Sequence, residues 1–397
     1  MTKFPFTMRV ISCAVIAASV SPAANAMGFT FSPKIQAQLG FEDNVFRLAD
    51  QESAEEIIGT DDRDDLIIDV GAGFVSEYES NNQKFELEAK AFRREYLDFD
   101  VLSFTGGEID AKWNIALNSQ WHADLGYNFT RDQSSFSEEN LAQGDLFDQN
   151  RLYFELTNRY GKNNDVFFRA SFQSKDYEVR EQLENDTYDF TAGVRRTSSL
   201  GNTLSFELTR AEGDYPNRLD FSAFGESLQD YNQDQATVRV DWKTGTRSTL
   251  KASVGFVNRE HNDELSELDF QGVVYDFRWK WEISQRTEFN AQYAKQLRDT
   301  ENLLTVFNEE ERLSASLKYN LTNKLLLTSG ISLQDIDFER INENRDDTAT
   351  IFEAGVQYDL DKKSTVGLTF KSRTRTSNEE FSEFDSSLTL LSFERIL

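Results

Sequence analysis

The chain is poor in the residues that most catalytic and metal sites need: one cysteine, two histidines and four prolines among 397 residues. The cysteine, Cys13, lies in an apolar run that reads as an export signal, so the processed chain is expected to form no disulfide and to present no thiol. His122 and His261 fall at opposite ends of the strand pattern described below, too far apart to share a nucleophile or a metal. No phosphate-cradling glycine loop, EF-hand spacing or cysteine–histidine motif is present, which argues against an enzyme and implies no cofactor and no metal centre. Positive charge is also scarce, with 42 basic residues against 69 acidic ones, a formal charge of -27. A polyanion such as nucleic acid is not a partner for that surface. Past the signal, no stretch reaches the ~20 apolar residues of a membrane helix.

Aromatic residues, by contrast, are abundant, at 13% with 33 Phe. Such content excludes a disordered chain, which lacks the bulky apolar side chains that offset ordering entropy. At the N-terminus, Lys3 and Arg9 flank the apolar run Val10 to Val20, and Ala24-Asn25-Ala26 supplies small residues for cleavage. Residues 1–26 are therefore expected to be a signal peptide, and the mature domain to run from Met27 to residue 397.

The rest alternates apolar and polar residues at period two, the mark of strands whose faces meet different surroundings. Ile109, Ala111, Trp113, Ile115 and Leu117 interleave with Asp110, Lys112, Asn114, Ala116 and Asn118; Val273 to Ile283 and Leu313 to Leu321 repeat the pattern. Eighteen such segments follow one another from residues 29 to 46 through 385 to 397, and sixteen is the other count the pattern admits. Their connections alternate short and long. Asn81-Asn82, Gly161 to Asn163 and Gly245 to Arg247 are short; Ala49 to Asp65, Asp132 to Gln149 and Glu212 to Asn232 are long and acidic. The expected fold is all-β: a transmembrane, antiparallel, up-and-down β-barrel of the bacterial cell outer membrane, with short periplasmic turns and long acidic extracellular loops. Closure follows because hydrocarbon offers an exposed strand edge no hydrogen-bond partner.

On these strand directions Trp121, Tyr160, Trp242, Trp281, Tyr319 and Tyr358 fall at periplasmic ends facing lipid, a candidate aromatic girdle. The opposite face carries Lys90, Lys112, Arg151, Arg169, Arg195, Arg239, Arg278, Lys280, Arg312 and Lys318, mixed with Asp110, Asp124, Glu155, Asp241, Asp276 and Glu282, as candidate pore-lining groups. About eighteen strands enclose an aqueous lumen unless something fills it. The first strand starts almost at the mature N-terminus, so no plug domain precedes it, and an open or loop-constricted channel is expected. The acidic segment Ala49 to Asp65 reads as a solvated surface loop rather than a calcium or magnesium site.

The segment Phe41-Glu42-Asp43-Asn44-Val45-Phe46-Arg47-Leu48 resembles, with an altered start, the Asp-x-Asn-aliphatic-aromatic-Arg-Leu signature found early in EpsL-type barrels of exopolysaccharide biosynthesis operons, relatives of the putative beta-barrel porins. Asp43, Asn44, Phe46 and Arg47 are the matching positions that characterise it. The resemblance implies an outer-membrane channel that takes part in export of a secreted polysaccharide, working with periplasmic export proteins and embedded among lipid and lipopolysaccharide. A general or solute-specific porin for small hydrophilic molecules is the alternative, and a non-conducting structural or adhesive surface barrel the second.

Overall fold

The structure, a computed structural model, describes residues 28–139, 141–217, 230–261, 269–303, 305–340, 344–379 and 381–397. The expected signal peptide and cleavage point lie outside these residues. Eighteen strands follow one another: β1 (Phe29–Glu42), β2 (Asp65–Glu79), β3 (Gln83–Tyr96), β4 (Phe104–Ala116), β5 (Trp121–Gln133), β6 (Leu146–Tyr160), β7 (Asn164–Tyr177), β8 (Asn185–Thr197), β9 (Thr203–Asp214), β10 (Tyr231–Lys243), β11 (Ser248–His261), β12 (Phe270–Glu282), β13 (Thr287–Arg298), β14 (Thr305–Asn320), β15 (Leu325–Arg340), β16 (Arg345–Asp359), β17 (Ser364–Ser377) and β18 (Phe384–Ile396). One α-helix, α1 (Gln51–Ile58), is present among the described residues, and no helix there is long and apolar enough to cross a membrane.

Each strand pairs antiparallel with its sequence neighbours, and β1 pairs with β18 from Lys34↔Ile396 to Glu42↔Leu388, which closes the ring. No strand edge is left open over that length, as a sheet immersed in hydrocarbon requires. At 12 to 16 residues, the strands exceed the ~9 to 11 residues needed to cross a bilayer. They therefore project beyond the apolar layer.

Pro33 shows how the seam tolerates a missing donor. Its carbonyl accepts from Leu397 N at 2.8 Å, so its hydrogen-free nitrogen also faces β18, at the point where that strand runs out. In the wall, residues of large volume lie across glycines on the next strand: a Cβ at Gly126 would fall 1.9 Å from the Tyr153 ring, so only glycine fits there.

The outer face is apolar and exposed, with Leu152 at 52% and Phe256 at 49%, as a lipid-facing wall should be. The buried apolar cluster sits instead among the long loops: Val45, Phe46, Leu48, Ala54, Tyr96, Leu102 and Phe136. This corrects the expectation of a merely solvated acidic loop after β1. Asp50 caps α1 by accepting from Ser53 N at 2.8 Å, Gly59 ends it at φ 76°, and Ala54 turns into the cluster while Glu52, Glu55 and Glu56 face water. An amphipathic helix can carry that acidity and still bury one face.

Candidate functional site

Strand register places all ten candidate basic residues on one face of the sheet. That face is the concave one, because its ion pairs reach past an intervening strand: Lys34 on β1 to Glu88 on β3 at 3.2 Å, Arg94 on β3 to Asp132 on β5 at 3.8 Å. Side chains converge on the inside of a curved sheet and diverge on the outside. The candidate acids Asp110, Asp124, Glu155, Asp241, Asp276 and Glu282 share this face through the same register.

Most of the inner cations are paired. Lys90 meets Glu108 at 2.8 Å, Lys112 meets Asp110 at 2.8 Å, and Glu155 receives both Arg169 at 2.7 Å and Arg195 at 3.5 Å. Arg239 reaches Glu207 at 3.3 Å, Arg278 reaches Asp276 at 2.6 Å, Lys280 reaches Glu288 at 2.7 Å, and Arg312 donates to Glu310 at 2.6 Å. Arg151 and Lys318 make no ion pair among the described residues and stand exposed on the wall. The inner face is thus polar but locally neutralised.

At the long-loop end the lumen is bridged. The loop between β5 and β6 extends to the opposite side of the ring, and its residues bond to β16, to β17 and to the loop between β13 and β14. The Glu138 carbonyl accepts from Arg345 at 3.1 Å and from Asn302 at 3.1 Å, its carboxylate accepts from Glu301 N at 2.7 Å and Thr300 Oγ1 at 3.1 Å, and Ser137 Oγ accepts from Arg373 at 2.7 Å. From the facing side, Glu301 takes Lys175 at 2.7 Å, and its carbonyl accepts from Arg180, itself paired with buried Asp145 at 2.7 Å. Burial pushes the Glu138 carboxyl above its ordinary 4.5; the Glu301 amide and Thr300 counter this, while the Glu301 carboxylate adds to it.

The signature residues sit where β1 leaves the wall. Asp43 accepts from Ser387 N and Oγ of β18, each at 2.6 Å. Asn44 donates to Asp385 O at 2.8 Å and to Leu48 O at 2.7 Å, and accepts from Leu48 N at 2.9 Å. Arg47, in the left-handed region at φ 59°, pairs with Glu42, bonds the Asn44 carbonyl and lies over the Phe384 ring. Phe46 is thereby aimed inward, 4.9 Å from Phe99 and 5.2 Å from Phe136 between ring centroids, joining three loops. β1 ends at Glu42 rather than at residue 46, and the motif is the turn that follows it.

Trp121, Tyr160, Trp242, Trp281, Tyr319 and Tyr358 all lie on the outer face beside the short turns. His122 and His261 lie at opposite ends of the barrel, at the start of β5 and the end of β11. The cross-lumen contacts of Glu138, Glu301, Arg345 and Arg373 were not among the residues singled out from the sequence. Their one sequence signal is a set of arginines at the outer ends of strands, beyond the apolar band: Arg298, Arg340, Arg345, Arg373 and Arg375.

A closed, lipid-faced antiparallel ring with a polar interior and inward-folded loops defines an outer-membrane β-barrel of the channel-forming class. The chain belongs to the family described as Putative beta-barrel porin 2, whose model matches residues 24–394. Among solved structures it is similar to a BenF-like porin from Pseudomonas fluorescens Pf-5, at 12% identity over 93% of this chain and 99% of that one, with a TM-score of 0.51. OccK2 (OpdF) from Pseudomonas aeruginosa aligns at 9% identity over 92% and 98% of the two chains with a TM-score of 0.51, and its complex with glucuronate aligns at 0.50. These likenesses establish the fold. No curated protein matches the sequence.

Proposed function

We propose that the barrel is a solute-specific porin, passing small hydrophilic molecules across the outer membrane. The observation that carries this reading is the combination of a predominantly polar inner wall with loops that bridge the mouth. A wall of paired charges solvates a small guest without trapping it, and bridging loops divide the entrance into lanes suited to single molecules rather than to a polymer. The resemblance to polysaccharide-operon barrels rests on residues 43–48, whose contacts serve closure of the ring and placement of a loop. It therefore adds no weight to polymer export. That OccK2 is known in complex with glucuronate makes a sugar acid a natural comparison solute for this chain.

In this reading Arg151, Lys318 and the paired cations line the path, and the six periplasmic aromatics seat the barrel at the lipid interface beneath a lipopolysaccharide leaflet. The precursor loses residues 1–26, so sequencing of the mature N-terminus should read Met27-Gly28. The direct test is planar-bilayer conductance of the refolded chain together with liposome swelling in small sugars. Steady conductance with sugar permeation supports the porin. A silent barrel, or loss of secreted polysaccharide from a deletion strain that still takes up small solutes normally, would overturn it.

A further inference from the structure

We infer that the inner wall where β15 to β18 meet β1 is a subsite for an uncharged, hydroxyl-rich solute, a neutral sugar ring; this rests on the porin reading and names its substrate class. The wall there has a recess of about 270 Å³ in the half of the barrel nearer the short turns. Two rows of the sheet form it. In one, Thr328, Gly355 and Thr369 lie side by side across β15, β16 and β17; in the next, Gln357, Gly367, Ser392 and Gln38 run across β16, β17, β18 and β1. Each row has glycine at its middle. A Cβ at Gly355 would stand 2.6 Å from Thr328 Oγ1, and one at Gly367 would stand 2.7 Å from Ser392 Oγ, so the recess exists because both positions lack a side chain.

The chemistry of this patch differs from the rest of the lumen. Two inward glutamines elsewhere are tied to charged groups: Gln292 donates to Asp276 at 3.0 Å, and Gln233 accepts from Arg259 at 2.9 Å. Gln149, Gln173 and Gln296 are not hydrogen-bonded among the described residues, but they stand in register with Thr130, Arg151 and Glu310 rather than in a cation-free recess. Gln38, Gln357, Thr328 and Thr369 have no hydrogen-bond partner among the described residues, although all line the recess. A primary amide offers two donors and an acceptor in one plane, and a hydroxyl offers both roles, which together match the adjacent hydroxyls of a sugar. The lining holds no lysine or arginine and one carboxylate, Glu394. A carboxylate accepts from sugar hydroxyls and repels an anion, so the recess selects the neutral sugar over its acid. No aromatic face is presented inward there for stacking, and the binding is accordingly weak enough for the guest to leave.

The test uses the refolded full chain in planar bilayers, with maltotriose as the neutral probe and trigalacturonate as an acid of the same length, added to either side. Maltotriose should lower the conductance saturably, and trigalacturonate should need a higher concentration for the same block. Replacing Gln38→Leu and Gln357→Leu together should raise the half-blocking maltotriose concentration by about tenfold or more, since two hydrogen bonds are lost. Gly367→Ala, which partly fills the recess, should act in the same direction, and the heat-sensitive shift between folded and unfolded bands on gels shows that each variant has folded. A conducting wild type without maltotriose block, stronger block by the acid, or unchanged block in folded variants overturns the subsite and leaves the porin standing. A barrel that conducts nothing overturns the porin reading and the subsite with it.

Discussion

Asn44 is a small residue with long consequences. Its amide holds the backbone of its own turn at Leu48 and reaches Asp385, 341 residues later in the chain. In Asn44→Ala, Leu48 N and O lose this partner in a buried setting, a cost of about 1 to 3 kcal/mol for an unsatisfied buried group, and the tie to Asp385 O is lost with them. The expected outcome is a lower urea midpoint and a lower temperature for conversion of the folded to the unfolded band on gels, with strand content by circular dichroism unchanged at ambient temperature. Sequence reading could identify Asp43 to Leu48 as a mark of kinship but not its work, because the groups it grips on β18 lie at the other end of the chain. Residue spacing along one segment carries no information about such partners. The inner cations were different: alternation alone assigned Lys90 to Lys318 to a single face, since period two fixes facing once one residue of a strand is placed.

Strand existence was legible for the same reason, and strand ends were less so. β14 starts at Thr305 although its alternation becomes readable only near residue 310, and β15 runs on to Arg340 past residue 338. Toward those outer ends the outer face carries Glu309, Glu311, Asp335 and Asp337. A strand that has risen above the hydrocarbon needs no apolar face, so the signal that reveals it fades while its ladder continues. Loops that leave the wall for the lumen leave no periodic trace at all, and the bridge made by Glu138 could not have been read.

That bridge is expected to be sensitive to pH. Released into water, Glu138 would titrate near its ordinary 4.5, whereas in the bridge burial raises it. The bridge therefore binds protons more readily than the open loop, is strongest below 4.5, and loses stability as pH climbs through the raised value. Single-channel records taken upward from pH 4.5 should show conductance rising as pH climbs through the raised value. Glu138→Gln keeps the acceptor oxygen without the charge and should give a flat, low profile. Arg345→Ala together with Arg373→Ala removes two anchors of the loop and should raise conductance at every pH. A wild-type profile independent of pH would count against the bridge as the constriction.

For the whole molecule, 69 acidic residues against 42 basic ones make self-repulsion a standing load on the closed ring. Much of it gathers at the outer rim, where Glu309, Asp337 and Asp346 stand in register on neighbouring strands. Like charges directly opposite one another destabilise a sheet. Screening shortens from ~10 Å at 0.1 M salt to ~3 Å at 1 M, so thermal unfolding in detergent should move to higher temperature across that range. A fall would mean that the inner ion pairs, which salt weakens, outweigh the rim.

The seam between the first and last strands is fastened at both ends, by Leu397 to Pro33 below and by Asp43 and Asn44 to Ser387 and Asp385 above. Neither fastening can be made by a partial chain. The turn that sets Phe46 among the loop aromatics is held in part by β18, so the earliest loop in the sequence must wait for the latest strand before it settles. Assembly of this barrel thus has a built-in finishing signal: the mouth takes its shape only when the circle is complete, and a chain cut short before β18 would be left with a loose first loop as well as an open edge, two features by which an unfinished product differs from a finished one.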